Sequence, residues 1–86
     1  MQKGTIVISL AGHDKGRLYA VLDSDGIYAH LTDGKRHTID KPKKKKHKHL
    51  KITGYTADLS VYSPLYDAHI VKELKSVLNK GGCCLG

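Results

Sequence analysis

The sequence of 86 residues contains no Trp and no Phe, and its only aromatic residues are five tyrosines. Its core must therefore be built from Ile, Leu and Val, together with tyrosines whose hydroxyl groups need water or a hydrogen-bond partner. A chain of this length forms one small domain and buries only about 60% of its unfolded surface. We expect a thin core that leaves little room for a buried active-site cavity.

Cysteines and long apolar segments are also scarce. The two cysteines, Cys83 and Cys84, are adjacent and cannot cross-link distant parts of the fold. We interpret them as free thiols in a reducing compartment, which predicts a cytoplasmic protein. No segment approaches the roughly 18 apolar residues of a membrane span, and the first residues lack the apolar stretch of a signal peptide.

Acidic residues are few, with eight Asp and Glu against 15 Lys and Arg, so the formal net charge is +7. The excess is local, because residues 35–51 contain nine basic residues and one acid. The net charge of this basic segment, +8, exceeds that of the whole chain. A concentrated basic patch of this kind is typical of nucleic-acid-binding proteins.

Four consecutive lysines occupy positions 43–46. Their mutual repulsion disfavours compact order without a polyanion, and they cannot all lie on one face of a strand. Neutralisation by phosphates with release of counterions is the interpretation we favour. The alternative is a flexible or solubilising linker.

Short apolar runs separated by turn residues predict a mostly β fold. Asp33-Gly34 is the strongest hairpin signal in the chain. Four or five short strands in about fifty residues suggest a small barrel of SH3-like or OB-like size. The predicted strands are residues 5–10, 17–22, 27–32, 35–39 and 49–52.

The pattern changes after Gly54. Residues 55–66 form a polar linker, and Asp67 is the preferred N-cap of an amphipathic helix over about 68–80. The apolar residues that share one face of this helix are Ile70, Leu74, Val77 and Leu78. We divide the chain into a barrel, residues 1–54, which includes the basic segment, and a C-terminal part, residues 55–86, with the helix and a flexible tail. We expect the barrel to fold without the helix.

Residues 3–17 resemble a KOW motif, a β-rich run followed by the turn Gly12-His13-Asp14-Lys15-Gly16-Arg17. Together with residues 33–50, this stretch is similar to the large-subunit ribosomal protein group called "fourteen-e" and its small bacterial relatives. The resemblance covers residues 3–53. It implies an SH3-like barrel that binds RNA or the ribosome without catalysis, with the turn close to the RNA. The family usually has Arg where this chain has His13.

The turn and the basic segment together provide the candidate RNA-binding site. Backbone amides of a glycine-flanked turn can face a phosphate, and Lys15 and Arg17 add charge beside them. The alternative is that Gly12 and Gly16 merely permit a tight turn. The candidate residues are Gly12, His13, Lys15, Gly16, Arg17, Lys35, Arg36, Lys41, Lys43, Lys44, Lys45, Lys46, His47, Lys48 and His49.

Aromatic and histidine side chains suggest two further roles. Tyr19 and Tyr28 could stack on unpaired bases, although packing at the rim of a barrel is the commoner role for either. His47 and His49 would point the same way on a strand and form half of a zinc site, but no second pair has ligand spacing. We therefore predict no metal and no cofactor.

Catalytic motifs are absent from the sequence. The turn at 12–16 lacks the Gly-Lys-Ser/Thr ending of a phosphate-binding Walker loop. Ser9, His13 and Asp14 have the residue types of a catalytic triad, but closeness in sequence is not triad geometry. The chain is not expected to be an enzyme.

The sequence thus predicts an RNA-binding accessory protein, monomeric when free, that docks on ribosomal RNA or another structured RNA. Ribosomal proteins are further expected partners. The competing hypothesis is a protein-interaction adaptor that uses the helix and the tyrosines, with lysines that only aid solubility.

Overall fold

The computed structural model describes residues 1–79, which form one five-stranded antiparallel sheet followed by one helix. The prediction of a mostly β fold with a C-terminal helix is confirmed. The order of the strands is β4-β3-β2-β1-β5. The predicted tail, with Cys83 and Cys84, lies outside the described residues. The elements are β1 (Thr5–Ser9), β2 (Leu18–Ser24), β3 (Tyr28–Thr32), β4 (Lys43–Lys46), β5 (Leu50–Thr56) and α1 (Asp67–Asn79).

The fourth strand is not where the sequence pattern predicts it. Residues 33–42 form a loop, and the strand that pairs with β3 is the lysine run, residues 43–46. The carboxylate of Asp33 accepts hydrogen bonds from the backbone N–H groups of Lys35 at 2.9 Å and His37 at 3.0 Å. The backbone N–H of Asp33 in turn donates to the His37 carbonyl at 3.1 Å. These bonds close the chain into a compact loop, so it cannot continue as a hairpin strand.

Both faces of the sheet are apolar. One face packs against α1 and the segment before it. The other face carries a second buried cluster, and β1 and β2 have register irregularities of the kind that curve a sheet. Within residues 1–79, β4 and β5 are the two outer strands, so the sheet is open. The first face has Ile6, Ile8, Leu18, Ala20, Ala57, Leu59, Ile70, Leu74 and Val77, and the second has Val7, Tyr19, Val21, Ala29, Leu31 and Leu50.

The strand β5 continues through residue 54 and ends at Thr56. It leads into Ala57 and Leu59, which are buried in the same core cluster as the helix residue Ile70. The helix predicted over 68–80 begins at Asp67 and is described as far as Asn79. Within residues 1–79, no helix is both long and apolar enough to cross a membrane.

The helix also holds the loop between β3 and β4. The Asp67 carboxylate accepts a hydrogen bond from the backbone N–H of Ile39 at 2.8 Å. Gly34 adopts a φ of 77°, and a Cβ at this position would lie 2.5 Å from the backbone oxygen of Asp67. Only glycine allows the loop to approach the helix this closely.

Candidate nucleic-acid interface

Asp14 lies in the turn between β1 and β2 and pairs with two lysines of the basic segment. Its residue is only 8% exposed. One carboxylate oxygen accepts from the Ser9 hydroxyl at 2.9 Å and from the Lys45 ammonium at 2.8 Å. The other accepts from the Tyr19 hydroxyl at 2.9 Å and lies 3.2 Å from the Lys43 ammonium. A single acid therefore receives two of the four consecutive lysines.

These contacts decide the ionisation of the groups involved. Burial alone would raise the pKa of the Asp14 carboxyl, but the hydrogen bonds from Lys45, Ser9, Tyr19 and Lys43 outweigh it and lower the pKa far below its usual value. Burial, followed by the hydrogen bond to the Asp14 carboxylate, raises the pKa of the Tyr19 hydroxyl. Asp14 is therefore an anion and Tyr19 a neutral donor near neutral pH.

The four lysines form a strand, in which successive side chains lie on opposite faces of the sheet. Lys43 and Lys45 pair with Leu31 and Ala29 of β3, so they share the face of the second apolar cluster. Their aliphatic parts follow this face and their ammonium groups reach Asp14. The sequence predicts that repulsion among the lysines disfavours compact order without a polyanion, but residues 43–46 form a strand, in which Asp14 compensates two of the four charges.

The other two lysines of β4 lie on the outer face. Lys44 and Lys46 are exposed and pair with His30 and Tyr28 of β3. The Lys44 ammonium lies 4.4 Å from the centre of the Tyr28 ring, at cation–π distance. Lys48 is also exposed and lies in the 3-10 turn that follows, His47–His49. The outer face therefore presents a row of cations beside one tyrosine.

A small cleft lies where the β1–β2 turn meets the β3–β4 loop. Its volume is about 110 Å³. The ammonium of Lys45 also donates to the Ala11 carbonyl at 2.7 Å, which ties β4 to the same turn. The turn and the basic segment, distant in sequence, thus form one continuous site. The cleft is lined by His13, Asp14, Arg17, Tyr19, Arg36, His37 and Lys43.

Backbone N–H groups of the glycine-flanked turn form hydrogen bonds with nearby backbone carbonyl groups. The N–H groups of Lys15, Gly16 and Arg17 donate to the carbonyl oxygens of Gly12, Ser9 and Asp14 respectively. Gly12 and Gly16 have φ values of 84° and 88°, which the turn requires. These three amides do not point at a ligand. The charge at the turn comes instead from its exposed side chains, which are His13, Lys15 and Arg17.

Two further sequence predictions change in the structure. Tyr19 is 1% exposed, and its hydroxyl is held by Asp14, so it is not available to stack on a base. His47 and His49 belong to a 3-10 turn and not to a strand, and the Nε2 atom of His47 lies 2.9 Å from the Ser24 hydroxyl. Nowhere in residues 1–79 do three or more His, Cys, Asp or Glu side chains gather as metal ligands do.

The remaining candidate residues lie around this site. Lys35, Arg36 and Lys41 are exposed in the β3–β4 loop. Sequence reasoning missed Asp14 as the residue that organises the site. A usable signal was present, since Asp14 is the only acid of a turn otherwise flanked by basic residues. Lys43 and Lys45, two positions apart on a strand, reach it from one side.

No protein-family model matches this chain, and no curated protein matches it significantly.

Proposed function

We propose that this protein binds structured RNA, with ribosomal RNA as the preferred class, through the outer face of β4 and the adjoining turn and loop. The proposal treats the chain as a KOW-type protein related to the "fourteen-e" ribosomal group. In that interpretation the curved sheet is an SH3-like barrel, whose outer strands β4 and β5 are joined by the 3-10 turn His47–His49. The protein acts by binding and not by catalysis.

The observation that carries the proposal is the division of the lysine run. If the lysines only kept the protein in solution, they would not need to be held in a strand. Instead Asp14 fixes Lys43 and Lys45, and this register aims Lys44 and Lys46 outward. Side chains two residues apart on a strand lie roughly 6.7 Å apart, so each can contact a different phosphate.

Other basic side chains lie in the adjoining turn and loop. Arg17 and Arg36 are exposed beside the cleft, and the arginine fork matches the geometry of a phosphate. The hydroxyl of Ser9, by contrast, is buried and donates to Asp14, so it is in no position to act as a nucleophile. These facts favour binding to a polyanion over chemistry at this site.

Two matched double variants test the proposal, since each removes two charges from the same strand. Binding of an RNA hairpin is measured by fluorescence anisotropy at several salt concentrations. We expect Lys44→Gln with Lys46→Gln to reduce the log–log salt slope by about two and to leave stability unchanged. We expect Lys43→Gln with Lys45→Gln to lower the unfolding free energy by about 3 kcal/mol, because the Asp14 carboxylate loses both of its lysine partners.

A salt slope left unchanged by Lys44→Gln with Lys46→Gln would contradict the proposed face. Absence of RNA binding in the wild-type protein, and absence of nucleic acid after purification at low salt, would contradict the function itself and favour the adaptor hypothesis. Crosslinking in cells followed by sequencing of the attached RNA would identify the class of RNA.

A further inference from the structure

The cleft of about 110 Å³ has the composition of an anion site. Arg17 and Arg36 contribute two guanidinium groups from different segments of the chain. Lys43 adds an ammonium group whose charge is shared with Asp14. The one carboxylate that lines the cleft already accepts four hydrogen-bonding or ionic contacts, two of them from lysines, so it opposes a bound anion only weakly.

Two histidines complete the lining. His13 is exposed on the turn, and His37 is half-buried on the loop. The carbonyl of His37 accepts from the Thr32 hydroxyl at 2.5 Å and its N–H donates to Asp33, so the backbone that carries this ring is fixed. The His37 ring lies 6.0 Å from the Tyr19 ring, which closes the cleft from the sheet side.

The size of the cleft limits its ligand. The cleft has room for a few water molecules or one tetrahedral anion. It is smaller than the roughly 300–1,000 Å³ of pockets that take drug-sized ligands. A phosphate group fits these limits, and a whole nucleoside does not.

We propose that this cleft binds a single phosphate group of the RNA backbone and that protonation of His13 and His37 strengthens the binding. The proposal rests on the RNA-binding function proposed above, because RNA supplies the phosphate. Sites on Lys44 and Lys46 then attract any polyanion, whereas the cleft fixes one phosphate in a defined place.

The expected pH dependence of phosphate binding follows from thermodynamic linkage between proton binding and anion binding. Imidazole gains its charge between about pH 5 and 8, and a bound anion and that charge stabilise each other. The titratable and charged groups that line the cleft with the two imidazole rings are Asp14, Arg17, Tyr19, Arg36 and Lys43. Asp33 is also close, because its carboxylate accepts from the backbone N–H of His37. Binding and protonation should therefore be coupled.

The test uses the full chain, isotopically labelled, with sulfate as the first probe. Sulfate keeps its double charge between pH 5.5 and about 8, so any pH dependence reports the protein. We expect sulfate to shift the imidazole resonances of His13 and His37 and to bind about tenfold more tightly at the lower pH, as a coupling of one pKa unit would give. His69, which stacks on Tyr62 and does not line the cleft, serves as the internal reference.

Variants separate the roles of the lining residues. His13→Gln with His37→Gln should abolish the gain in sulfate affinity between pH 8 and pH 5.5. Arg36→Gln should weaken sulfate at both pH values, whereas the exposed helix lysine variant Lys72→Gln should not. Retention of the dispersed amide spectrum shows that each variant is folded.

A parallel titration with an RNA hairpin distinguishes this proposal from the one on which it rests. We expect the double histidine variant to lose the gain in RNA affinity that the wild type shows between pH 8 and pH 5.5. If RNA binds but the histidine variant keeps the full pH dependence, or sulfate leaves both imidazoles unshifted, the cleft proposal is overturned and RNA binding stands. If sulfate binds and RNA does not, the cleft is a site for free phosphate, and its assignment to RNA is overturned.

Discussion

At the scale of single residues, Asp14 supplies the counter-charge for two lysines of β4. Without its charge, Lys43 and Lys45 would place two ammonium groups on an apolar face with no counter-charge. With it, the same lysines become part of the fold and hold the turn against β4. A residue that carries the wrong sign for RNA thus determines where the positive side chains lie.

The substitution Asp14→Asn should lower the unfolding free energy by about 3 kcal/mol, because it leaves two lysines without an acceptor charge. Urea denaturation at pH 7 measures this loss. The exposed acid Asp40 provides the control, and Asp40→Asn should change stability by less than about 0.5 kcal/mol. Similar small losses in both variants would contradict the central position of Asp14.

The same pair has a predictable pH dependence. The folded state lowers the pKa of Asp14, so between the folded and unfolded values the unfolded chain binds more protons and stability rises with pH. The stabilisation is fully present above about pH 4 and is lost as the pH falls below it. We expect the difference between wild type and Asp14→Asn to be constant from pH 5 to about 9 and to narrow below pH 4. A difference unchanged at pH 2 would contradict this.

Removal of the Tyr19 hydroxyl tests the hydrogen bond between this side chain and the Asp14 carboxylate. Tyr19→Phe should cost about 1.5 kcal/mol, since the carboxylate loses one donor. The folded state raises the pKa of this hydroxyl, so its contribution is present below about pH 10 and is lost above it. Thermal unfolding should therefore show a difference between the proteins that shrinks above pH 10.

At the scale of elements, the helix positions the loop that carries Arg36 and His37. Gly34 approaches the first turn of α1 so closely that a Cβ would lie 2.8 Å from a methyl group of Val71 as well as against the backbone of Asp67. The loop therefore depends on a helix more than thirty residues further along the chain. For the same reason, we now expect a chain that ends at residue 54 to lose both this support and the cover over the first apolar face.

The substitution Gly34→Ala should destabilise the protein by about 2 kcal/mol or more, because it combines a left-handed backbone with a backbone clash. Gly26→Ala is a matched control in another turn, where a Cβ would meet nothing within 4 Å. Calorimetry of the two variants decides the question. Equal melting temperatures would show that the loop is not held by the helix.

The elements that the sequence predicts well are those with a local signal. Short apolar runs bounded by turn residues locate β1, β2 and β3, and the spacing of Ile70, Leu74 and Val77 locates the helix. The fourth strand was missed because its order depends on a distant acid, and four lysines have no apolar pattern to reveal it. The Asp33-Gly34 signal was correct for a turn, but hydrogen bonds of the Asp33 carboxylate turned the predicted return strand into a loop.

At the scale of the whole molecule, nine of the 15 Lys and Arg residues lie in residues 35–51, which include the β3–β4 loop, β4 and the 3-10 turn. RNA affinity should therefore fall steeply with salt, with a log–log slope that corresponds to about four to eight phosphates. Anisotropy titrations at several potassium chloride concentrations measure this slope. An uncharged peptide nucleic acid of the same base sequence is the control and should not bind. A slope near zero would contradict binding through phosphates.

The position of the lysine strand has a further consequence for the protein in the absence of RNA. β4 has a neighbouring strand on one side only within residues 1–79, and an open sheet edge is a template on which a second molecule can add a strand. If two copies met at this edge, each would bring its own four lysines, and like charges facing each other across strands are destabilising. The charge of the lysine strand, which we propose attracts RNA, is therefore also expected to protect the sheet from edge-to-edge aggregation.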